Sequence, residues 1–489
     1  MVYLDISNST IDNLSGTSAS PTITFAKIEF VMTNVRFWAL ILGPCFAIFL
    51  AICMNASGWD TKACWAGAIV TLCVIWWIFE PIPIPVTSII PLAVFPLAEV
   101  LTKEDIARAY GDDMVLLMLG GFMISAALAH SGAHHRLALG LIRIVGGHSS
   151  RRIVFGFLCA CAFISMWISN TATTLMMLPL ALAVIDQSND KKLAIPLLLS
   201  IAYGSSIGGL GSPIGTPPNL VFMREYESFT GITVSFTQWM SWGVPVVLLM
   251  TPLAGLWLTR HLHFKGDLTM PPPGPWRAEE RRMLLIFGLT VLAWITRNEP
   301  FGGWSVWLGL KGASDATVAL IAVVAMFLIP NGRGGKLLDW DTAVKVPWGI
   351  LILFAGGIAI AQAFVETGLS QAVGEQLSIL SGLHPLIIIA FIAIVVTFLT
   401  ETTSNTATVV LLMPILGPAA LAANIDPALL MLPAAMSASY GFMMPVGTPP
   451  NAIVFGTGAV PIDSMVREGL VLNFIGAAVI TVVCYWLVG

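Results

Sequence analysis

The sequence predicts an all-α polytopic membrane protein with about eleven transmembrane helices and two re-entrant hairpins, arranged in two inverted-topology repeats. Composition is the first reason: 57% of the 489 residues are hydrophobic and only 10% are charged, whereas soluble domains carry about 25% charged residues. Long apolar runs are the second reason, and a repeated set of polar motifs is the third. The net charge of −4 offers no basic surface for nucleic acid.

Apolar runs close to the ~20 residues that cross a bilayer as a helix define the predicted spans. The first transmembrane helix is expected within 36–61. Residues 1–35 are polar and lack the basic start of a signal peptide, so they predict a disordered tail. The spans lie at about 37–55, 62–80, 83–101, 113–130, 193–223, 240–259, 282–299, 315–330, 347–365, 427–457 and 468–488.

Two further apolar segments, 153–186 and 385–423, have a polar cluster at their centre, around Asn170 and Asn405. Each segment is long enough for one helix that enters the membrane and one that leaves it. Irregular backbone at membrane depth is tolerated where protein or a wet cavity satisfies its polar groups. We therefore predict two re-entrant hairpins with polar tips.

The second half of the chain repeats the motifs of the first half in the same order. The residues SNTAT at 169–173 recur at 404–408, and the residues GTPPN at 215–219 recur at 447–451. Two pentapeptides at nearly one offset are poorly explained by the common vocabulary of membrane helices. We predict repeat 1 at 62–259 and repeat 2 at 282–489, joined by a cytoplasmic linker at 260–281.

Each repeat contains five spans and one hairpin, and an odd number of crossings turns the second copy upside down. With the N-terminus in the cytoplasm and the C-terminus outside, 17 of the 23 Lys and Arg residues lie on the cytoplasmic side, as the positive-inside rule requires. The hairpin at 153–186 then opens from the cytoplasm and the hairpin at 385–423 from the outside. Their tips are expected to meet near the midplane.

A Ser-Asn-Thr tip between two apolar half-helices suits an anion and a small cation together. The N–H groups that begin the outgoing half-helix have no intrahelical partner and bind anions without a buried basic residue. The carbonyl, hydroxyl and amide oxygens of the same turn are hard ligands suited to sodium. Ser165 and Thr400 stand one helical turn before the tips and add a hydroxyl to each.

The Gly-Thr-Pro-Pro-Asn motifs predict broken helices at 193–223 and 427–457, because the second proline has no N–H and both rings clash with helix continuation. Carbonyls freed near Gly215 and Gly447 become available to a cation, and the hydroxyls of Thr216 and Thr448 to an anion. A plain proline kink is the alternative for one copy. Two copies, each following a Ser-Asn-Thr tip, favour a binding role.

Two acidic residues lie at or near the predicted membrane. Glu80 precedes a proline-rich turn and is expected to be interfacial or structural, whereas Glu401 adjoins the second tip, where the first copy has Met166. Acids inside membranes often mark ion pathways, and the sequence leaves the role of Glu401 open. No Ser/His/Asp or Cys/His set recurs at a plausible site, so an enzyme is not indicated.

These motifs resemble those of the divalent anion/sodium symporter family, the sodium-coupled dicarboxylate and citrate carriers, over about residues 37–489. The resemblance implies a homodimer in the lipid bilayer whose protomers have a scaffold domain and a mobile transport domain that work as an elevator. It also implies that substrate carboxylates are bound by residues matching Ser169, Asn170, Thr171, Thr216, Pro217, Ser404, Asn405, Thr406, Thr448 and Pro449.

By the same resemblance, two sodium sites are implied. The first matches Ser165, Ser169, Asn170 and Gly215, and the second matches Thr400, Thr403, Asn405 and Gly447. The expected function is sodium-coupled uptake of C4-dicarboxylates such as succinate, malate or fumarate, or of related di- and tricarboxylates, across the cell membrane, with no organic cofactor.

A sodium-independent exchanger and a proton-coupled carrier are the alternatives within transport, and a channel is the alternative outside it. A cation-free design would need a fixed positive side chain near the tips. No Lys or Arg lies at 153–190, 193–223 or 346–466, which favours sodium coupling.

Overall fold

The computed structural model describes residues 21–488 except 147–148, 189–191, 263–273, 299–301, 311 and 377–382, and for 21–33 and 373–376 it describes the backbone only. The described residues form helices joined by turns, and no β-strand occurs among them. Within the described ranges, eight helices are long and apolar enough to cross a membrane. The all-helical membrane class predicted from composition is therefore confirmed.

The first half of the chain runs from the long helix α1 to the helix α12 that precedes the linker. Its helices are α1 (Pro21–Ala56), α2 (Thr61–Phe79), α3 (Ile84–Thr87), α4 (Ile89–Leu97), α5 (Lys103–Tyr110), α6 (Asp113–Ser131), α7 (Ala133–Val145), α8 (Ser150–Ser165), α9 (Asn170–Gln187), α10 (Ala194–Gly208), α11 (Pro217–Thr230) and α12 (Phe236–Thr259), with a 3₁₀ turn at Gly209–Gly211.

The second half of the chain contributes the remaining described helices. Its helices are α13 (Ala278–Ile295), α14 (Gly303–Trp307), α15 (Asp315–Leu328), α16 (Trp340–Ala343), α17 (Trp348–Glu366), α18 (Leu369–Gln376), α19 (Pro385–Thr400), α20 (Asn405–Ala422), α21 (Pro427–Ser437), α22 (Pro449–Phe455) and α23 (Ile462–Val488).

Several boundaries differ from the sequence-based expectation. Helix α1 begins at Pro21 and so includes the end of the segment 1–35 predicted as a disordered tail, while residues 1–20 lie outside the described part. The span predicted at 83–101 is two short helices separated at Ser88, in a segment that contains five prolines between 81 and 96. Each proline removes one backbone donor, so this segment does not form one straight helix.

The two predicted hairpins and the two broken helices pack into one group. Helix α10 contacts both arms of the first hairpin, α8 and α9, and α21 contacts both arms of the second, α19 and α20. Contacts also cross between the halves, since α11 packs against α20 and α21 while α22 packs against α9 and α10. Each broken helix therefore joins the hairpin of its own half to that of the other half.

The contact between α8 and α10 is unusually close because two glycines face α8. A Cβ on Gly204 would lie 2.8 Å from the carbonyl oxygen of Leu158, and a Cβ on Gly208 would lie 2.1 Å from that of Ala162. Small residues four positions apart let membrane helices approach closely where no hydrophobic driving force exists between them. This packing fixes the first hairpin against the first broken helix.

We expect Gly208→Ala to lower the melting temperature of the detergent-purified protein, because the added Cβ would collide with backbone. Overpacking of this kind costs about 1–3 kcal/mol. Gly140→Ala is the matched control: Gly140 lies in α7 and a Cβ there would meet nothing within 4 Å, so a higher helix propensity should leave stability unchanged or slightly raised. Equal melting temperatures for the two variants would contradict the close packing.

Candidate substrate and cation site

The first polar tip joins α8 to α9 and has its hydroxyl and amide groups tied together. Ser165 at the end of α8 donates from Oγ to Oδ1 of Asn170 at 2.6 Å. Ser169 is the N-cap of α9, and its Oγ accepts a bond from the N–H of Ala172 at 3.3 Å. One first-turn N–H of α9 is thus satisfied by the cap, as at other helix starts.

The second tip joins α19 to α20 and repeats the central bond of the first. Thr400 Oγ1 lies 2.8 Å from Oδ1 of Asn405, again a hydroxyl and an amide five positions apart, and also 2.8 Å from the carbonyl oxygen of Ala438. Thr403 Oγ1 lies 2.6 Å from the hydroxyl of Thr408. Ser404, the N-cap of α20, makes no side-chain cap bond, so the first-turn N–H groups of α20 are not capped by its hydroxyl.

The two helix breaks, one between α10 and α11 and one between α21 and α22, make the same pair of hydrogen bonds. In the first, Nδ2 of Asn219 donates to the carbonyl oxygens of Gly209 and Ser212 at 2.9 and 2.8 Å. In the second, Nδ2 of Asn451 donates to those of Gly441 and Met444 at 2.9 and 3.0 Å.

The asparagine of the second break and both residues whose carbonyls it binds stand 232 positions after their counterparts in the first break. The two motifs include these asparagines, but the sequence alone predicted no role for them. The available signal was their place at the end of both pentapeptides.

Backbone from the breaks lies directly against the tips. A Cβ on Gly209 would lie 2.7 Å from Oδ1 of Asn170, and one on Gly215 would lie 2.4 Å from the carbonyl oxygen of Gly209. In the second half, a Cβ on Gly447 would lie 3.0 Å from Oε2 of Glu401. Glycine is required where backbone approaches this closely. The structure thus brings together residues from the tip and the break of each half.

A carboxylate, that of Glu401, distinguishes the second tip from the first. Its buried carboxylate accepts bonds from the N–H groups of Met443 and Met444, both at 2.8 Å, and from Nδ2 of Asn473 on α23 at 2.7 Å. The N–H groups of Met443 and Met444 are backbone donors that the second break has freed. At the matching position of the first half, the buried side chain of Met166 packs beside Gly211 instead.

The remaining predicted substrate residues occupy the starts of the helices around these clusters. Thr216 and Thr448 are buried N-caps of α11 and α22; Thr448 Oγ1 accepts from the N–H of Asn451 at 3.3 Å, whereas Thr216 makes no side-chain cap bond. Thr171 and Pro217 are half-buried, Thr406 is buried and Pro449 is exposed.

Comparison with known proteins agrees with this architecture. Residues 34–488 match the family model described as the sodium:sulfate symporter transmembrane region. The chain belongs to this divalent anion/sodium symporter family. The resemblance identified from the two polar tips and two Gly-Thr-Pro-Pro breaks is thereby confirmed.

Similar proteins extend over almost the whole chain. A protein of Staphylococcus saprophyticus named sodium-dependent dicarboxylate transporter SdcS is 39% identical over 475 residues, which cover 92% of this chain and 91% of the relative. A protein of the same name from Staphylococcus aureus strain USA300 is 38% identical over 473 residues, covering 91% and 90%. The family and these relatives are transporters, so this chain is an integral membrane transporter and not an enzyme.

A solved structure shares the fold at low identity. The crystal structure of the Alcanivorax borkumensis YdaH transporter superposes with a TM-score of 0.54 at 15% sequence identity, covering 80% of this chain and 89% of that chain. At this identity the likeness concerns the fold alone.

We expect Glu401→Met, which introduces the residue of the first half, to lower the melting temperature strongly. The two break N–H groups and the Asn473 amide would lose their acceptor, and each unsatisfied buried donor costs about 1–3 kcal/mol. Met166→Leu is the control, because it changes the matching side chain without removing a hydrogen bond. A melting temperature for Glu401→Met equal to that of the control would show that the second break does not depend on the carboxylate.

Proposed function

We propose that this chain couples inward sodium flux to the uptake of C4-dicarboxylates such as succinate, malate and fumarate, or of related di- and tricarboxylates. The observation that carries the proposal is the repeated cluster of a hydroxyl, a tip asparagine and close-packed break glycines in each half. Two such clusters match a substrate that has an anionic group at either end. The names of the relatives, sodium-dependent dicarboxylate transporters, support the same substrate class.

The carboxylates are bound by neutral donors at the starts of helices. Helices α9 and α20 each have 18 residues and begin at the tip asparagines, so their first-turn N–H groups carry the partial positive charge that favours anions. Hydroxyls of the tips and breaks add further donors. The proposed set is Ser169, Asn170, Thr171 and Thr216 with Pro217, and Ser404, Asn405, Thr406 and Thr448 with Pro449.

Sodium ions provide the positive charge that the substrate requires. A dianion moved into a low-dielectric interior is strongly destabilised unless it is paired, and the segments around the tips contain no Lys or Arg. We place one ion at Ser165, Ser169, Asn170 and Gly215, and the other at Thr400, Thr403, Asn405 and Gly447. Because the ions supply the charge, they bind before the acid.

The transport step is an elevator motion of the group formed by the two hairpins and the two broken helices. The contacts that cross between the halves join these elements into one body, which supports movement as a unit against the other helices. A homodimer in the cell membrane, with the N-terminus in the cytoplasm and the C-terminus outside, completes the proposal. Lysine and arginine placement supports this orientation.

Uptake into proteoliposomes made with the purified protein tests the proposal. We expect saturable uptake of radiolabelled succinate with an inward sodium gradient, and little uptake when choline replaces sodium. Competition by malate, fumarate, citrate and sulfate measures the preference among anions. Uptake that is independent of sodium but driven by internal succinate or by a proton gradient would replace the proposal with exchange or proton coupling.

We expect Asn170→Ala and Asn405→Ala each to reduce succinate uptake at least tenfold and to weaken sodium binding, because each asparagine serves both the tip and a cation site. Asn55→Ala, at an exposed residue of α1, is the matched control and should leave uptake unchanged. Uptake and sodium dependence are measured on variants with wild-type yield and gel-filtration profile. Normal uptake by either tip variant would contradict the assignment.

A further inference from the structure

The asparagines that end the two Gly-Thr-Pro-Pro-Asn motifs make the same pair of bonds in both halves. Asn219 and Asn451 each occupy the third residue of the helix that follows the break, and each reaches back to two carbonyl oxygens before it. Both side chains are fully buried. A bond pattern that recurs after 232 residues in two different packing environments indicates a requirement of the break itself.

The orientation of each amide follows from its partners. Only the NH₂ group can face two carbonyl oxygens, since the opposite orientation would set three acceptors against one another. Oδ1 of both asparagines is buried without a hydrogen-bond partner among the described residues. The amide is therefore used through its donors alone, and these hold the ends of the unwound segment together.

The carbonyls held in this way belong to residues that contact the tips. Gly209, held by Asn219, lies against the Asn170 side chain and against Gly215. Gly441, held by Asn451, lies against the Thr400 side chain, since a Cβ there would be 3.4 Å from its Cγ2. Only one residue, Gly209 or Gly441, thus lies between each break asparagine and the tip cluster of its own half.

We propose that Asn219 and Asn451 are positioning residues for the two cation sites, each holding one unwound segment so that its carbonyls and glycines meet the tip in ion-binding geometry. The inference rests on the proposed sodium coupling. Residues that orient ligands without touching the ion typically change metal affinity roughly 10-fold to 100-fold when they are removed. The asparagines therefore act on sodium affinity more than on the maximal rate.

The two halves differ in how firmly the break is held by other groups. The second break is also anchored by Glu401, which accepts bonds from Met443 and Met444. The first break has two neutral anchors: the hydroxyl of Ser212 donates to the carbonyl oxygen of Met166, and Nε1 of Trp239 donates to that of Leu210 at 3.0 Å. A carboxylate with two backbone donors is the stronger anchor, so loss of Asn219 has the larger effect.

The test measures the sodium concentration for half-maximal succinate uptake at saturating succinate in proteoliposomes, for Asn219→Ala, Asn451→Ala and the control Asn55→Ala. Sodium-dependent thermal stabilisation of the purified protein without substrate gives a second readout. We expect the sodium concentration for half-maximal uptake to rise at least tenfold for Asn219→Ala and less for Asn451→Ala. Maximal uptake should be largely restored at high sodium. Serine variants, which keep one donor, should be intermediate.

The inference would be overturned if the sodium concentration for half-maximal uptake were unchanged in both alanine variants. It would also be overturned if uptake were reduced equally at every sodium concentration. If the alanine and serine variants all fail to give folded protein even in saturating sodium, the asparagines support the whole domain and the inference is also wrong. If the wild-type protein shows neither sodium-dependent uptake nor stabilisation by sodium over potassium, the proposed function fails as well. Wild-type sodium coupling with unaffected variants rejects the positioning role alone.

Discussion

Two helices lose their regular hydrogen bonding inside the apolar part of this protein, and the freed backbone groups need other hydrogen-bond partners. An unpaired N–H or C=O in hydrocarbon costs several kcal/mol, so irregular backbone survives there only where other protein groups or a wet cavity pair with it. Asn219 and Asn451 pair with the freed carbonyls, and Glu401 with freed N–H groups. The arrangement of the surrounding helices follows from this requirement.

Close packing around the breaks is the first consequence. The groups that satisfy a break come from neighbouring segments, so these segments must approach within hydrogen-bond distance of backbone. Glycines permit the approach: Gly208 lies on the backbone of α8, and Gly209 lies on the first tip. Cross-contacts of α11 with α20 and of α22 with α9 then join both halves into one body.

Much of this architecture could be predicted from the sequence, because the relevant signals are local. The tips were visible as polar clusters inside the apolar segments 153–186 and 385–423, and helices α8 and α9, and α19 and α20, meet at them. Hydropathy was less informative at 83–101, where the proline spacing divides an apolar run into α3 and α4. It also missed the helical residues 21–35, which were grouped with the polar segment before them although 8 of these 15 residues are hydrophobic.

The contacts made by the side chains at the breaks could not be predicted in the same way. The motifs placed an asparagine after each Pro-Pro, but the direction of its amide depends on a turn of backbone that the sequence does not specify. The role of Glu401 was open for the same reason: its partners Met443 and Asn473 are 42 and 72 positions away. Long-range hydrogen bonds leave no periodic trace in a sequence.

The two halves repeat a geometry but not a charge distribution. Glu401 brings a carboxylate beside the second tip, where the first half has the thioether of Met166. Two backbone N–H groups and the Asn473 amide donate to this carboxylate, and together they contact both of its oxygens. Through these bonds the carboxylate holds the backbone of the second break, a contact that the thioether of Met166 cannot make.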